Sequence, residues 1–326
     1  MKNFKIAQPR TLRKITSFLA EKRDGVALLA GGTDLLGEMK QGVNEPEAII
    51  DLKNLRDLSY IRKEDDFLKI GALTTLNELA EYPGLADNFP GLNQALWSIA
   101  TPQLRNMGTV GGNLCQRPRC WYYRDAAAVC RKKGGSRCYA VQGRNKYHAV
   151  FGGGICYIVH PSDLAPILIA LKAEATISSA QEERSLPLSE FFTLPRVDIR
   201  RENVLQPNEL LKEIRVPLYR NGHCSIYLKL KERGTWDFAV VSAAVWMKVE
   251  NGAAEDLRIV LGGVAPVPWR LEKAEEKIKG KKITEQLVRQ AVKESLKDAR
   301  SLSDNEYKLD LVETAVVRAS LAVGAN

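Results

Sequence analysis

The chain has 326 residues, 45% of them hydrophobic, and carries 48 Lys and Arg against 39 Asp and Glu, a net charge of +9. That length accommodates two or three domains with buried cores, and no apolar run approaches the roughly 18 residues of a helical membrane span. Six cysteines are too few to scaffold so long a chain with disulfides, so metal or redox use in a reducing, cytoplasmic setting is expected. The opening Met1-Lys2-Asn3-Phe4-Lys5 carries no apolar leader, although export of the folded chain beside a signal-bearing partner is compatible with it.

Leu12, Ile15, Phe18 and Leu19 recur at helical spacing, and Val26 to Ala30 reads as a short buried strand that stops at Gly31-Gly32-Thr33-Asp34. Strands are expected again at Ala48 to Leu52 and Phe67 to Gly71, and Thr75 with Glu78 forms a capping box that opens a short helix. A helix over Pro90 to Ala100 leads into a second glycine segment, Gly108-Thr109-Val110-Gly111-Gly112-Asn113. In each segment a glycine pair lets backbone N–H groups converge on one anion, with Thr33 or Thr109 adding a hydroxyl donor. A pyrophosphate gripped by both loops is one reading; simple chain reversal is the other. G-x-G-x-x-G and G-x-x-x-x-G-K-[ST] are both missing, which disfavours a Rossmann site and a P-loop.

Directly behind the second glycine segment, Cys115, Cys120, Cys130, Cys138 and Cys156 fall within 42 residues, together with nine basic residues and a single acid, Asp125. Nearly all of the positive excess is therefore local, which argues against a nucleic-acid-binding surface. Soft ligands beside an anion loop point to redox chemistry, with the basic residues as counter-charge to a negative cluster or as a solvated loop.

Farther on, Asp163 precedes an apolar helix, Leu164 to Leu171, with Pro166 in its first turn. The first domain is expected to end near Pro217. Ala239 to Val249 and Leu257 to Leu261 read as strands around an Asn251-Gly252 hairpin turn, and helical spacing fills the last 60 residues. His148, His160 and His223 show no catalytic spacing and are expected to be structural or on the surface.

Three ordered motifs, Leu28-Leu29-Ala30-Gly31-Gly32-Thr33-Asp34-Leu35, Thr109-Val110-Gly111-Gly112-Asn113 and Pro161-Ser162-Asp163-Leu164-Ala165-Pro166, resemble the FAD-binding subunits of the xanthine dehydrogenase and molybdenum hydroxylase family. The resemblance implies a mixed α/β (α+β) protein. A two-lobed FAD-binding domain of the vanillyl-alcohol-oxidase type would occupy residues 1–217, with lobes of about 1–56 and 57–217. A small C-terminal α+β domain of the CO dehydrogenase flavoprotein type would occupy 218–326. It further implies that Leu28 to Leu35 and Thr109 to Asn113 hold the FAD pyrophosphate and ribityl, that Asp163 lies beside the cofactor's polar part, and that Leu211 and Lys229 line the flavin. A cation such as Lys229 there would stabilise the anionic reduced flavin; a surface lysine on a strand is the plain alternative.

The cysteine segment resembles the subtype with an extra [4Fe-4S] cluster, found in aromatic-thioester reductases and periplasmic aldehyde oxidoreductases. By that resemblance Cys120, Cys130, Cys138 and Cys156 are the ligands and Cys115 is buried and unligated. A zinc-binding nucleic-acid module competes, because Cys115-x4-Cys120 has the spacing of a zinc pair, although no two of the four proposed ligands do. As a family member the chain would be an oxidoreductase subunit with no catalytic residue of its own. It would pass electrons between a small two-[2Fe-2S] subunit, a large molybdopterin subunit and an acceptor or donor such as NAD, a quinone, ferredoxin or oxygen. A free-standing FAD-dependent oxidase is the runner-up.

Overall fold

The computed structural model describes residues 1–21, 25–219 and 223–324. Its first sheet is parallel: β1 (Lys5–Ala7) and β2 (Val26–Leu29) flank β3 (Ala48–Asp51). All four residues of β3 are buried, as the centre of a parallel sheet requires. Helix α1 (Leu12–Glu21) sets Ile15 and Leu19, one turn apart, into the same core as Ile50, Leu52 and Leu55. Helix α2 (Leu35–Lys40) follows β2. Strand β1 has no sequence signal because it is three residues long and largely exposed.

The second sheet is antiparallel and five-stranded. It contains β4 (Ile61–Glu64), β5 (Phe67–Gly71), β6 (Glu174–Ser178), β7 (Glu183–Pro187) and β8 (Leu210–Pro217) in the order β4-β5-β8-β6-β7. Helices α3 (Leu76–Ala80), α4 (Leu85–Asn88), α5 (Pro90–Ser98), α6 (Pro102–Met107), α7 (Val110–Leu114), α8 (Trp121–Arg124) and α9 (Leu164–Ala170) lie between β5 and β6. The capping box at Thr75 forms, with both reciprocal bonds. Every residue of α9 is buried, and Pro166, third in the helix, costs no backbone bond because first-turn amides have no intrahelical acceptor.

The third sheet, β9 (His223–Leu230), β10 (Val241–Glu250), β11 (Ala253–Gly262) and β12 (Trp269–Arg270), is antiparallel in the order β12-β11-β10-β9. Asn251 and Gly252 turn its hairpin with φ of 51° and 76°, the left-handed pair that suits this turn. Helices α10 (Glu272–Ile278), α11 (Glu285–Leu296) and α12 (Lys308–Gly324) complete the chain. Strand β10 is apolar on both faces for a reason: Ala243, Val245 and Met247 enter the core shared with α10 to α12, while Ala244 and Trp246 enter the core of the five-stranded sheet and α9. This sheet is thereby wedged between its own helices and the second lobe. The cysteine stretch, which runs from α7 to α9 with only α8 and two single helical turns, lies against that junction.

Candidate functional site

The first glycine segment ends β2 and opens α2. A Cβ on Gly31 would sit 1.9 Å from the Met107 carbonyl oxygen, so glycine is what lets this loop press against the end of α6 and the start of the second segment. Gly32 has φ of 73°, and among the described residues the amides of Gly31, Gly32 and Thr33 have no protein acceptor. Those are free donors suited to an anion. A cavity of about 320 Å³ is lined by both segments, including Leu28, Ala30 to Leu35, Thr109, Gly112 and Asn113. Leu29, Val110 and Gly111 do not line it.

The second segment gives its first amides to protein acceptors. It is helix α7, and the Thr109 hydroxyl accepts from the Gly112 amide as its N-cap. The Val110 and Gly111 amides donate to Thr74 and Ala72 carbonyls, leaving neither for a ligand. Gly111 is needed for contact: a Cβ there would lie 2.8 Å from that of Ala72. Asn113 is tied to the third motif, its Oδ1 accepting from Ser162 Oγ at 2.5 Å.

A second cavity, about 470 Å³, is walled by Asp163, His160, Cys120, Trp121, His148 and Phe238 among others. Arg119 lines both this cavity and the glycine-segment cavity. Its guanidinium contacts Asp34, which also accepts from Arg124 Nη2 at 2.7 Å and from the Arg117 amide at 2.7 Å. Burial pushes the Asp34 carboxyl up, but the two arginines outweigh it and hold the group below the usual carboxylate range. Asp163 accepts from Lys229 Nζ at 2.8 Å and from the Tyr227 hydroxyl at 2.5 Å, and Lys229 also donates to the Ser98 carbonyl at 3.0 Å. Lys229 is therefore no surface lysine, but it lines neither cavity and reaches the second one only through Asp163. Leu211 sits apart from both cavities, on β8 opposite Ile177, with 6% of its surface exposed.

Cys120, Cys130, Cys138 and Cys156 line one further cavity with Tyr122, Tyr123, Tyr139 and His148. All four are free thiols. Burial pushes the Cys120 thiol up to about 12 and that of Cys156 up to about 11, and each is raised further by neighbouring cysteines of the set. The backbone amides of Tyr122 and Tyr123 partly offset this at Cys120, and that of Ile158 at Cys156. The space between the four thiols is about 10 Å³, and four cysteines are the donor set of a [4Fe-4S] cluster. Among the described residues no three or more His, Cys, Asp or Glu side chains are placed to hold a single metal ion. Cys115 belongs elsewhere: it lines the glycine-segment cavity, and its thiol is pushed up to about 12 by burial and by Glu202. The Cys115-x4-Cys120 pair thus looks into different cavities.

The basic excess of this segment is answered in part by acids that lie far away in sequence. Arg119 and Arg124 pair with Asp34, and Arg117 and Lys132 pair with Glu202, where Lys132 and Glu202 keep only 1% and 2% of their side-chain surface. Arg131, Arg137 and Arg144 remain exposed. His148 is what sequence reasoning missed: its Nε2 stands 3.2 Å from Cys120 Sγ, a contact across 28 residues with no local signature.

Residues 2–219 match the family of the FAD binding domain in molybdopterin dehydrogenase, and residues 226–323 match the CO dehydrogenase flavoprotein C-terminal domain. The aldehyde oxidoreductase FAD-binding subunit PaoB of Escherichia coli (strain K12) is 36% identical over 263 residues, covering 79% of this chain and 81% of that one. The carbon monoxide dehydrogenase medium chain of Hydrogenophaga pseudoflava is 29% identical over 330 residues, covering 99% and 98%. A solved structure of the Hydrogenophaga pseudoflava carbon monoxide dehydrogenase superposes with a TM-score of 0.79 at 28% identity, over 99% of this chain and 98% of the other.

Proposed function

This chain belongs to the family of FAD-binding subunits of molybdopterin dehydrogenases, the molybdenum hydroxylases, and on that footing we propose that it adds a [4Fe-4S] cluster to FAD as an electron-transfer subunit. The observation that carries the reading is that Cys120, Cys130, Cys138 and Cys156 line one cavity and that Cys120 also lines the 470 Å³ cavity beside Asp163. A cubane's corners stand farther apart than the ligands of one ion, so four thiols that share a cavity without converging on a point suit a cluster better than zinc.

FAD would occupy the 320 Å³ and 470 Å³ cavities that Arg119 lines in common. The free amides of Gly31 to Thr33 and Arg119 would hold the pyrophosphate between the glycine segments, and Asp163, held by Lys229, would face the polar edge of the flavin. The bound flavin supplies two-electron chemistry; the chain's own residues bind it, exclude water and fix its charge environment. The substrate would be transformed on a large molybdopterin subunit, with electrons relayed through a small two-[2Fe-2S] subunit to or from NAD, a quinone, ferredoxin or oxygen. No helix of the described residues is long and apolar enough to cross a membrane, and a cytoplasmic site of action is part of the proposal.

Purifying the chain without oxygen and measuring iron, sulfide, zinc and flavin in one sample tests the reading. About four iron, four sulfide and one FAD per chain is the expected result. FAD without iron or sulfide overturns the cluster, and zinc without flavin overturns the whole assignment.

A further inference from the structure

We infer that His148 is a positioning residue for the cluster, its Nε2–H donating a hydrogen bond to the sulfur of Cys120; this rests on the cluster reading above. A thiolate ligand has no proton to give, so the 3.2 Å contact between Cys120 Sγ and His148 Nε2 is favourable only with the imidazole as donor. The other ring nitrogen, Nδ1, is buried without a partner. Only Nε2 therefore has an acceptor within reach, which places the proton there.

The ring is held where it is by the C-terminal domain. Asn305 Nδ2 donates to the His148 carbonyl at 3.1 Å and to the Ala149 carbonyl at 3.3 Å, and Lys308 Nζ donates to the Tyr147 carbonyl at 3.0 Å. Asn145 exchanges bonds with the Asp304 amide and the Ser303 hydroxyl. Trp121 and Tyr122 flank the imidazole at 5.5 Å and 6.0 Å between ring centroids. Five side chains thus fix a histidine whose ring meets one sulfur.

Which sulfur it meets gives the contact its role. Of the four cysteines, Cys120 is the one that lines the large cavity as well as the cysteine cavity. A hydrogen bond to a ligand sulfur stabilises the reduced, more negative form of a cluster and raises its potential. His148 would therefore set the potential at the corner of the cluster that faces the flavin cavity.

Potentiometric titration of the reduced cluster's EPR signal in the anaerobically purified protein tests this, with His148→Phe and His148→Gln beside wild type. The expected result is a full complement of iron in both variants, a midpoint moved to lower potential in His148→Phe, and a midpoint near wild type in His148→Gln, whose amide can still donate. An unshifted His148→Phe midpoint at full iron overturns the inference while leaving the cluster standing; wild-type protein without iron and sulfide overturns both. Should His148→Phe lose its iron, wild-type protein labelled with ¹⁵N-histidine decides. A weak ¹⁵N coupling to the reduced cluster supports the hydrogen bond, and absence of that coupling overturns it.

Discussion

Lys229 Nζ lies 2.8 Å from Asp163 Oδ2, with 4% and 5% of the two side chains exposed, so the third sequence motif and strand β9 are joined by an ion pair shut off from water. The Tyr227 hydroxyl completes the group on Asp163, and burial followed by the Asp163 charge pushes the phenol well above its ordinary value, which keeps it a donor. Two strand residues on one face, Tyr227 and Lys229, thereby fix the carboxylate that borders the large cavity.

Breaking that pair strands a charge. Lys229→Met leaves Asp163 buried without its cation, which costs about 3–5 kcal/mol. The expected outcome is a lower thermal midpoint and less FAD per purified chain, with Asp163→Asn comparable because it strands the buried Lys229 ammonium in turn. Equal flavin content and midpoint in Lys229→Met and wild type would show the pair to be dispensable.

Gly31→Ala forces a Cβ to within 1.9 Å of the Met107 carbonyl oxygen. Backbone cannot yield as a side-chain tip does, so the two glycine segments must part, at about 1–3 kcal/mol. FAD affinity of the deflavinated protein, read by quenching of flavin fluorescence, is expected to fall roughly 10-fold or more. Gly37, whose added Cβ would meet nothing, is the control, and its alanine variant should bind FAD as wild type does.

The cysteines divide by cavity. Serine at Cys120, Cys130, Cys138 or Cys156 is expected to take iron from about four per chain toward none, while Cys115→Ala keeps its iron because Cys115 faces the other cavity. Iron and sulfide analysis of the five variants checks this. Iron loss in Cys115→Ala equal to that in the other four would mean that ligand roles have been misassigned.

Lys308 is buried, bonded to two carbonyl oxygens, and pushed down to about 7 by burial. An unfolded lysine titrates near 10.4, so between about pH 7 and about pH 10.4 the unfolded chain holds a proton that the native chain has released, and stability rises with pH across that window. Below about pH 7 both states are protonated and the contribution is flat at its low value. Urea midpoints at pH 7, 8 and 9 should therefore climb in wild type relative to Lys308→Met, with a slope difference approaching about 1.4 kcal/mol per pH unit. Parallel profiles would refute the assignment.

Helix α1, strands β2, β3 and β5, the capping box at Thr75, the Asn251-Gly252 hairpin and the buried helix α9 are all legible in the sequence. Each depends on a period, a cap or a turn residue within a few positions. The order of the three motifs at residues 28–35, 109–113 and 161–166 is likewise written in the chain, and the family they resemble is the one whose domains match. Which groups answer one another is decided only by the tertiary structure, because those energies depend on distance in space and not along the chain. Counting charges over residues 115–156 finds nine basic residues and one acid, yet Arg119 and Arg124 meet Asp34 some 85 and 90 residues away, and Lys132 meets Glu202. A glycine pair at 111–112 looks like an anion loop until Thr74 and Ala72 are seen to take the neighbouring amides. His148 carries no motif at all; packing of the C-terminal domain against the cysteine segment brings its imidazole to Cys120.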